Sequence, residues 1–240
     1  MFNQVKKLKG CMLDGLDGEI GDVREFYFDD RYWAIRYLVA DTGNWLKGRQ
    51  VLISPYALAA AIDEQQPIAI GLTQKQIEDS PLLNNDMPVS RQFEEAYYGY
   101  YGWPAYWSGE YLWGPCPNLV RERGNWQESA QAAKPCDLHL HSTADVYSCH
   151  IQAEHGEIGN VDDMIIEDET WTIRYLIVDT RKWWPGKKVL VSPQWIKRVD
   201  WGDSNVLVNL PSEIPEYDAV HHNHPPYKTR LHSRELHENY

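Results

Sequence analysis

The sequence predicts an all-β fold with short helices, built as two small β-barrels that are related by internal duplication and form a pseudo-dimer. Three observations carry this expectation. A segment of the chain recurs at a constant spacing, its residues alternate with the period of a strand, and polar turn residues separate the alternating runs. Gly18-Glu-Ile-Gly21 returns as Gly156-Glu-Ile-Gly159, Ile35-Arg-Tyr-Leu38 as Ile173-Arg-Tyr-Leu176, and Asp41-Thr42 as Asp179-Thr180. Trp33, Trp45 and Gly48 match Trp171, Trp183 and Gly186 at the same offset of 138 residues. From Gly18 to Pro55 the copies share 19 of 38 positions without a gap, and Cys11 with Cys149 and Leu72 with Leu210 extend the register.

Within each copy the first strand is expected over Val23 to Phe28 and again over Val161 to Ile166. Asp29-Asp30-Arg31 and Glu167-Asp168-Glu169 supply the following turns. Trp33, Ile35, Tyr37 and Val39 then alternate with Ala34, Arg36, Leu38 and Ala40, the period of a strand with two distinct faces. Gln50 to Ser54 reads as a further strand, and Gly-Glu-Ile-Gly as a turn entering a strand. Ala57 to Ala61 looks helical in isolation. Its counterpart Trp195-Ile-Lys-Arg-Val199 looks like a strand, so Tyr56 to Ile62 is expected to be extended. Pro67 to Gly71 and Val206 to Asn209 follow as strands, and Thr73-Gln-Lys-Gln76 fits a capping box. A short helix is expected over Arg91 to Gly99, with Phe93 and Tyr97 on one face. Residues 109–137, rich in Gly, Pro and charge, read as a linker between a first repeat at 1–108 and a second at 138–240.

The combination of Asp17-Gly-Glu-Ile-Gly-Asp-Val23, Ile35-Arg-Tyr-Leu-Val39, Asp41-Thr42 and Val51-Leu-Ile-Ser-Pro55, each with its partner 138 residues on, resembles the PRC-barrel family. That family's β-barrel is shared by the photosynthetic reaction-centre H subunit and the C-terminal part of a ribosome maturation factor. The aromatic run from Tyr97 to Trp107 is similar to the tail that follows the barrel in soluble tandem members. The resemblance implies two tandem PRC-type barrels used as docking modules, and it implies no catalysis. His155 departs from the pattern, standing where the first copy has Asp17.

Arg36 and Arg174 sit mid-strand among apolar neighbours, where a charge needs a partner; Asp41, Asp179 or an acidic turn residue is expected to supply it. His221, His222 and His224 form the candidate metal set, with His139 and His141 as two further nitrogen donors. No Gly-x-Ser-x-Gly, P-loop or dinucleotide fingerprint is present. Tyr100, Tyr101, Trp103, Tyr106 and Trp107 form a candidate interface, because Tyr and Trp dominate binding hot spots. The bland alternative is that these rings fold back and clasp the two repeats together.

The 35 acidic against 23 basic residues give a net charge of −12, which disfavours a nucleic-acid surface. No apolar run is long enough to span a membrane and no secretory leader opens the chain, so a cytoplasmic location is expected. The four cysteines form no Cys-x-x-Cys pair and are expected as free thiols. The leading expectation is a non-enzymatic module without a cofactor that binds a protein partner, with room for a homodimer. A ribosome or RNA-processing accessory factor and a metal-dependent enzyme using the His-rich segments are the two alternatives.

Overall fold

A computed structural model describes residues 1–43, 45–46, 49–59, 62–63, 65–83, 89–121, 139–147, 149–154, 156–180, 187–211, 213–217 and 227–232. The chain is mostly β with few short helices. It opens with β1 (Phe2–Gln4) and α1 (Val5–Leu8). The first repeat follows as β2 (Met12–Gly15), β3 (Gly18–Asp29), β4 (Ala34–Asp41), β5 (Val51–Ile53) and β6 (Ile68–Ala69), then α2 (Gln74–Glu78) and α3 (Arg91–Tyr101). β7 (Leu140–Ser142) and α4 (Thr143–Val146) lead into β8 (His150–Ala153), β9 (Gly156–Glu167), β10 (Thr172–Asp179) and β11 (Lys188–Val191). β12 (Ile196–Asp200), β13 (Asn205–Val208), β14 (Glu213–Tyr217) and β15 (Tyr227–His232) complete the described elements.

The chain divides into two compact units. The N-proximal unit holds Lys9–His141 and Glu169–Trp171; the C-proximal unit holds Met1–Leu8, Ser142–Asp168 and the chain from Thr172 onward. These boundaries differ from the expected division at 108 and 138, for a physical reason. β1 pairs antiparallel with β9, matching Phe2 to Glu167 and Gln4 to Ile165, and α1 buries Val5 and Leu8. Phe2 packs beside Ile165, Ile177 and Leu190 of the C-proximal core. In the N-proximal unit β7 pairs with β3, and Asp30 N donates to His139 O at 2.9 Å. Each repeat's long strand therefore takes its extra edge strand from the segment that precedes the other repeat.

Strand order is the same in the two units. In the N-proximal unit β6, β2, β3, β4 and β5 lie side by side, with β6 parallel to β2 and the rest antiparallel. In the C-proximal unit β13, β8, β9, β10 and β11 repeat that order and those directions. Among the described residues the strand path is open rather than closed into a ring.

Several local expectations are corrected. Gly-Glu-Ile-Gly is part of a strand, not a turn before one. Gly21 has φ +137°, and a Cβ there would collide with the carbonyl of Asp41; at Gly159 it would meet that of Asp179. Glycine is what lets β3 and β9 run that close to a neighbouring backbone. Trp33 is not in the strand: with φ +52° it occupies the left-handed region in the turn before β4, as Trp171 does with φ +54° before β10. β4 is buried on both faces from Ala34 to Ala40, so its alternation does not separate core from solvent.

Pro55–Ala57 forms a 3₁₀ turn capped by Ser54, which corrects the extended reading at Tyr56 and Ala57. Leu58 is extended (φ −89°, ψ 151°) and bridges Ile70, while residues 60–61 lie outside the described residues. The second copy repeats the turn at Pro193–Trp195 and continues into β12. The Thr73 capping box and the Arg91 helix form as the spacing predicts. The expected linker begins with ordered chain, since Tyr111 bridges Gly114 and Trp113 bridges Cys116; residues 122–138 lie outside the described residues.

Candidate functional site

The two mid-strand arginines hold equivalent partners. Arg36 Nε donates to Asp29 Oδ2 at 2.6 Å, and its guanidinium makes an ion pair with the same carboxylate. Arg174 Nε donates to Glu167 Oε2 at 2.9 Å, again with an ion pair. Asp29 and Glu167 are themselves 138 apart, so the pairing belongs to the repeat. Both acids end the strand and belong to the expected turns Asp29-Asp30-Arg31 and Glu167-Asp168-Glu169, so of the expected partners it is the acidic turn residue that pairs in each copy. The hairpin register sets this: Phe28 and Asp29 face Ile35 and Ala34, so Asp29 lies within reach of Arg36. Asp41 is at the far end of β4, where its Oδ1 accepts from Gly43 N at 3.0 Å.

Arg36 is fully buried (0% exposed). Beyond Asp29 it donates to Leu112 O at 2.7 Å and lies over the rings of Tyr106 at 4.2 Å and Trp113 at 4.8 Å. The guanidinium disperses its charge over aromatic faces while Nε and Nη1 are hydrogen-bonded and Nη2 lies in the ion pair with Asp29. A second buried charge, Glu94 on α3, accepts from Tyr37 Oη at 2.8 Å and Tyr106 Oη at 2.7 Å through Oε1 and pairs with Arg91 at 2.9 Å. Burial first, then the Glu94 charge, hold the Tyr37 phenol well above its ordinary pKa, so it stays a donor. Glu94 escapes sequence reasoning because it reads as an ordinary polar helix residue; its i, i+3 spacing from Arg91 was the available signal.

The aromatic candidates pack within the N-proximal unit. Tyr97 meets Tyr37 at 5.6 Å edge-on, Tyr56 stacks on Trp103 at 5.8 Å, and Tyr101 stacks on Trp103 at 4.4 Å. Tyr98 meets Trp107 at 5.2 Å and Tyr106 at 5.9 Å. Tyr101 and Tyr106 are buried, Trp103 and Trp107 half-buried, and Tyr100 is 43% exposed. Tyr97 Oη donates to Leu52 O at 2.9 Å and accepts from Ser54 N at 3.0 Å, sealing the outer edge of β5. In the C-proximal unit the corresponding strand, β11, is flanked by β14.

Of the histidines, His139 Nδ1 and His141 Nε2 lie 2.8 Å and 3.2 Å from the two oxygens of Asp30. His221, His222 and His224 lie outside the described residues. Among the described residues no group of three or more His, Cys, Asp or Glu side chains is placed to hold a metal.

A concavity lies at the other end of the β3–β4 hairpin. It is an open groove of about 460 Å³ lined by Glu19, Gly21, Asp22, Asp41, Thr42, Gly43 and Trp45. Trp45 Nε1 donates to Ile20 O at 2.9 Å, which fixes the indole while leaving Trp45 36% exposed. Three exposed carboxylates beside an anchored aromatic face suit a cation on an apolar stem. Glu19 and Asp22 were legible as part of the Gly-Glu-Ile-Gly-Asp motif, but their convergence with Asp41 appears only once the hairpin is folded.

Residues 144–214 match the PRC-barrel domain. The match runs from α4 through β8–β13 into β14 and so covers most of the C-proximal unit. No curated protein matches the chain. Among the described residues no helix is long and apolar enough to cross a membrane.

Proposed function

We propose that the chain is a non-enzymatic docking module made of two PRC-barrel-type repeats arranged as a pseudo-dimer, and that the groove beside Trp45 receives a basic segment of a protein partner. The groove carries this reading: it is open, it presents Glu19, Asp22 and Asp41, and its aromatic wall is held in place by a backbone hydrogen bond. The shared strand order and the offset of 138 support the duplication beyond the matched span. Arg36, Asp29, Glu94 and Arg91 serve internal pairs rather than a substrate cavity, which favours a structural role for them.

The test is quantitative crosslinking in cells with the parent chain and with Trp45→Ala combined with Asp22→Asn. A protein crosslinked through a Lys- or Arg-rich segment and lost in the variant supports the reading. Capture unchanged by the variant overturns the groove, and recovery of ribosomal components through another surface favours the accessory-factor alternative.

A further inference from the structure

Strand β12 forms one outer edge of the C-proximal sheet. On its inner side Arg198 pairs with Leu207, Val199 with Val206 and Asp200 with Asn205, in unbroken register after a bulge between Ile196 and Arg198. Its other side pairs with no strand among the described residues. An open edge is a ready template for another strand unless shortness, bulges or charge blunt it. Here the charge is arranged so that it selects a partner.

Arg198 and Asp200 are two residues apart, so they share a face of the strand, and Arg198 Nη2 lies 2.8 Å from Asp200 Oδ2. The Arg198 side chain is 73% exposed. Two antiparallel copies of β12 related by a two-fold axis keep opposed residues on one face, which limits the centre of pairing to a residue. Centred on Val199, Arg198 faces the partner's Asp200, Asp200 faces the partner's Arg198, and the two valines meet. Moving the centre to Arg198 or to Asp200 sets like charges opposite each other, which opposes pairing. The Arg-Val-Asp sequence is thus complementary to itself in one register.

The neighbouring surface fits the same contact. Leu207, beside Arg198 on β13, is exposed, and a cavity of about 210 Å³ is lined by Gln152, Arg198, Asp200, Asn205 and Leu207. The buried Asn205 Oδ1 has no hydrogen-bond partner among the described residues. The corresponding stretch of the N-proximal unit is reduced, among the described residues, to the Leu58–Ile70 bridge. An isologous contact through β12 closes a dimer instead of extending a fibre.

We propose that two copies of this chain associate through β12, antiparallel and centred on Val199, to form an isologous dimer. The contact is short, below the roughly 1,200 Å² of a standard stable interface, so it is a weak association with a Kd in the micromolar range or above. It does not depend on the groove beside Trp45. Sedimentation of the full chain over a concentration series at low salt should show a monomer–dimer equilibrium. Arg198→Asp and Asp200→Arg, each with an unchanged circular dichroism spectrum, should each weaken it roughly tenfold or more. The double reversal restores complementarity and should return the dimer to near the parent value. A monomer at every concentration, a dimer indifferent to Arg198→Asp, failure of the double reversal to rescue, or growth past the dimer overturns the proposal.

Discussion

Replacing Asp163 with Asn should make the C-proximal unit progressively more stable than the parent as pH rises from 4 to 8. Asp163 is 3% exposed on β9. Its Oδ1 accepts the backbone N–H of Lys6 at 3.1 Å and that of Met164 at 2.8 Å, so it caps the short helix α1. Burial drives its pKa up; the two N–H groups pull the other way, and the carboxyl is left at about 6. An unfolded Asp titrates near ~3.9. Between these values the folded chain holds a proton that the unfolded chain releases. The group's stabilising contribution is therefore complete below the unfolded value and is lost as pH rises through about 6. The gap corresponds to roughly 3 kcal/mol. Asn keeps an oxygen for both N–H groups and has no charge to bury. The assay is urea unfolding of parent and variant at fixed pH between 4 and 8, following the difference between them. A difference that stays constant, or that moves in favour of the parent at higher pH, would refute the reasoning, because the carboxylate would then be well accommodated in the fold.

Arg36→Met should cost about 3–5 kcal/mol by leaving buried Asp29 uncompensated, whereas Arg174→Met, at a side chain 41% exposed, should cost under about 1 kcal/mol; chemical denaturation of the two variants compares them directly. Tyr97→Phe removes the hydroxyl that bridges Leu52 O and Ser54 N and should cost about 1–3 kcal/mol, with faster hydrogen exchange at Ser54. Gly21→Ala and Gly159→Ala should each destabilise severely, since a Cβ meets backbone at both positions, and loss of soluble folded protein on expression is the readout. Cys11, Cys116 and Cys149 should react as free thiols in denatured, unreduced protein; a shortfall in titration would reveal a disulfide. Cys136 lies outside the described residues.

The sequence repeat was the most legible feature, because the offset of 138 aligns residues that fix the backbone: the close-approach glycines Gly21 and Gly159, the turn tryptophan and the Ser-Pro turn. What the offset cannot convey is which unit a segment joins. Phe2 and Val5 are apolar residues of suitable spacing for either repeat, and the choice is made by β9 pairing at long range. Trp33 misled the period-two reading because a bulky aromatic is a strong strand former, yet its buried ring holds a left-handed backbone that propensity disfavours. For the aromatic run the sequence left both a partner surface and a fold-back clasp open, because composition does not reveal what the rings pack against. Tyr37 and Tyr56, which receive those rings, lie about 40 to 60 positions upstream. Of the candidate site, a partner for Arg36 was legible as either Asp41 or an acidic turn residue; hairpin register decides for Asp29 and places Asp41 in the groove with Glu19 and Asp22.

The two copies separate physically where their flanking segments differ. After the first repeat the chain continues into α3 and an aromatic turn. Tyr106 and Trp113 cover Arg36, and Tyr97 seals β5 with a hydroxyl. After the second repeat the chain turns into β14 and β15, so β11 is sealed by a strand and Arg174 remains partly exposed. The same ion pair is therefore a buried obligation in one unit and a solvated contact in the other. Burial cuts off water as an alternative partner for Arg36 and Asp29, so their geometry has to be satisfied from within. Arg174 and Glu167 retain water, and their separation costs little. In the C-proximal unit Asn160 stands where the groove has Asp22, and β12 has a charged outer edge that no strand covers among the described residues. The two proposed contacts, a basic segment at the groove beside Trp45 and a second copy at β12, therefore lie on different units.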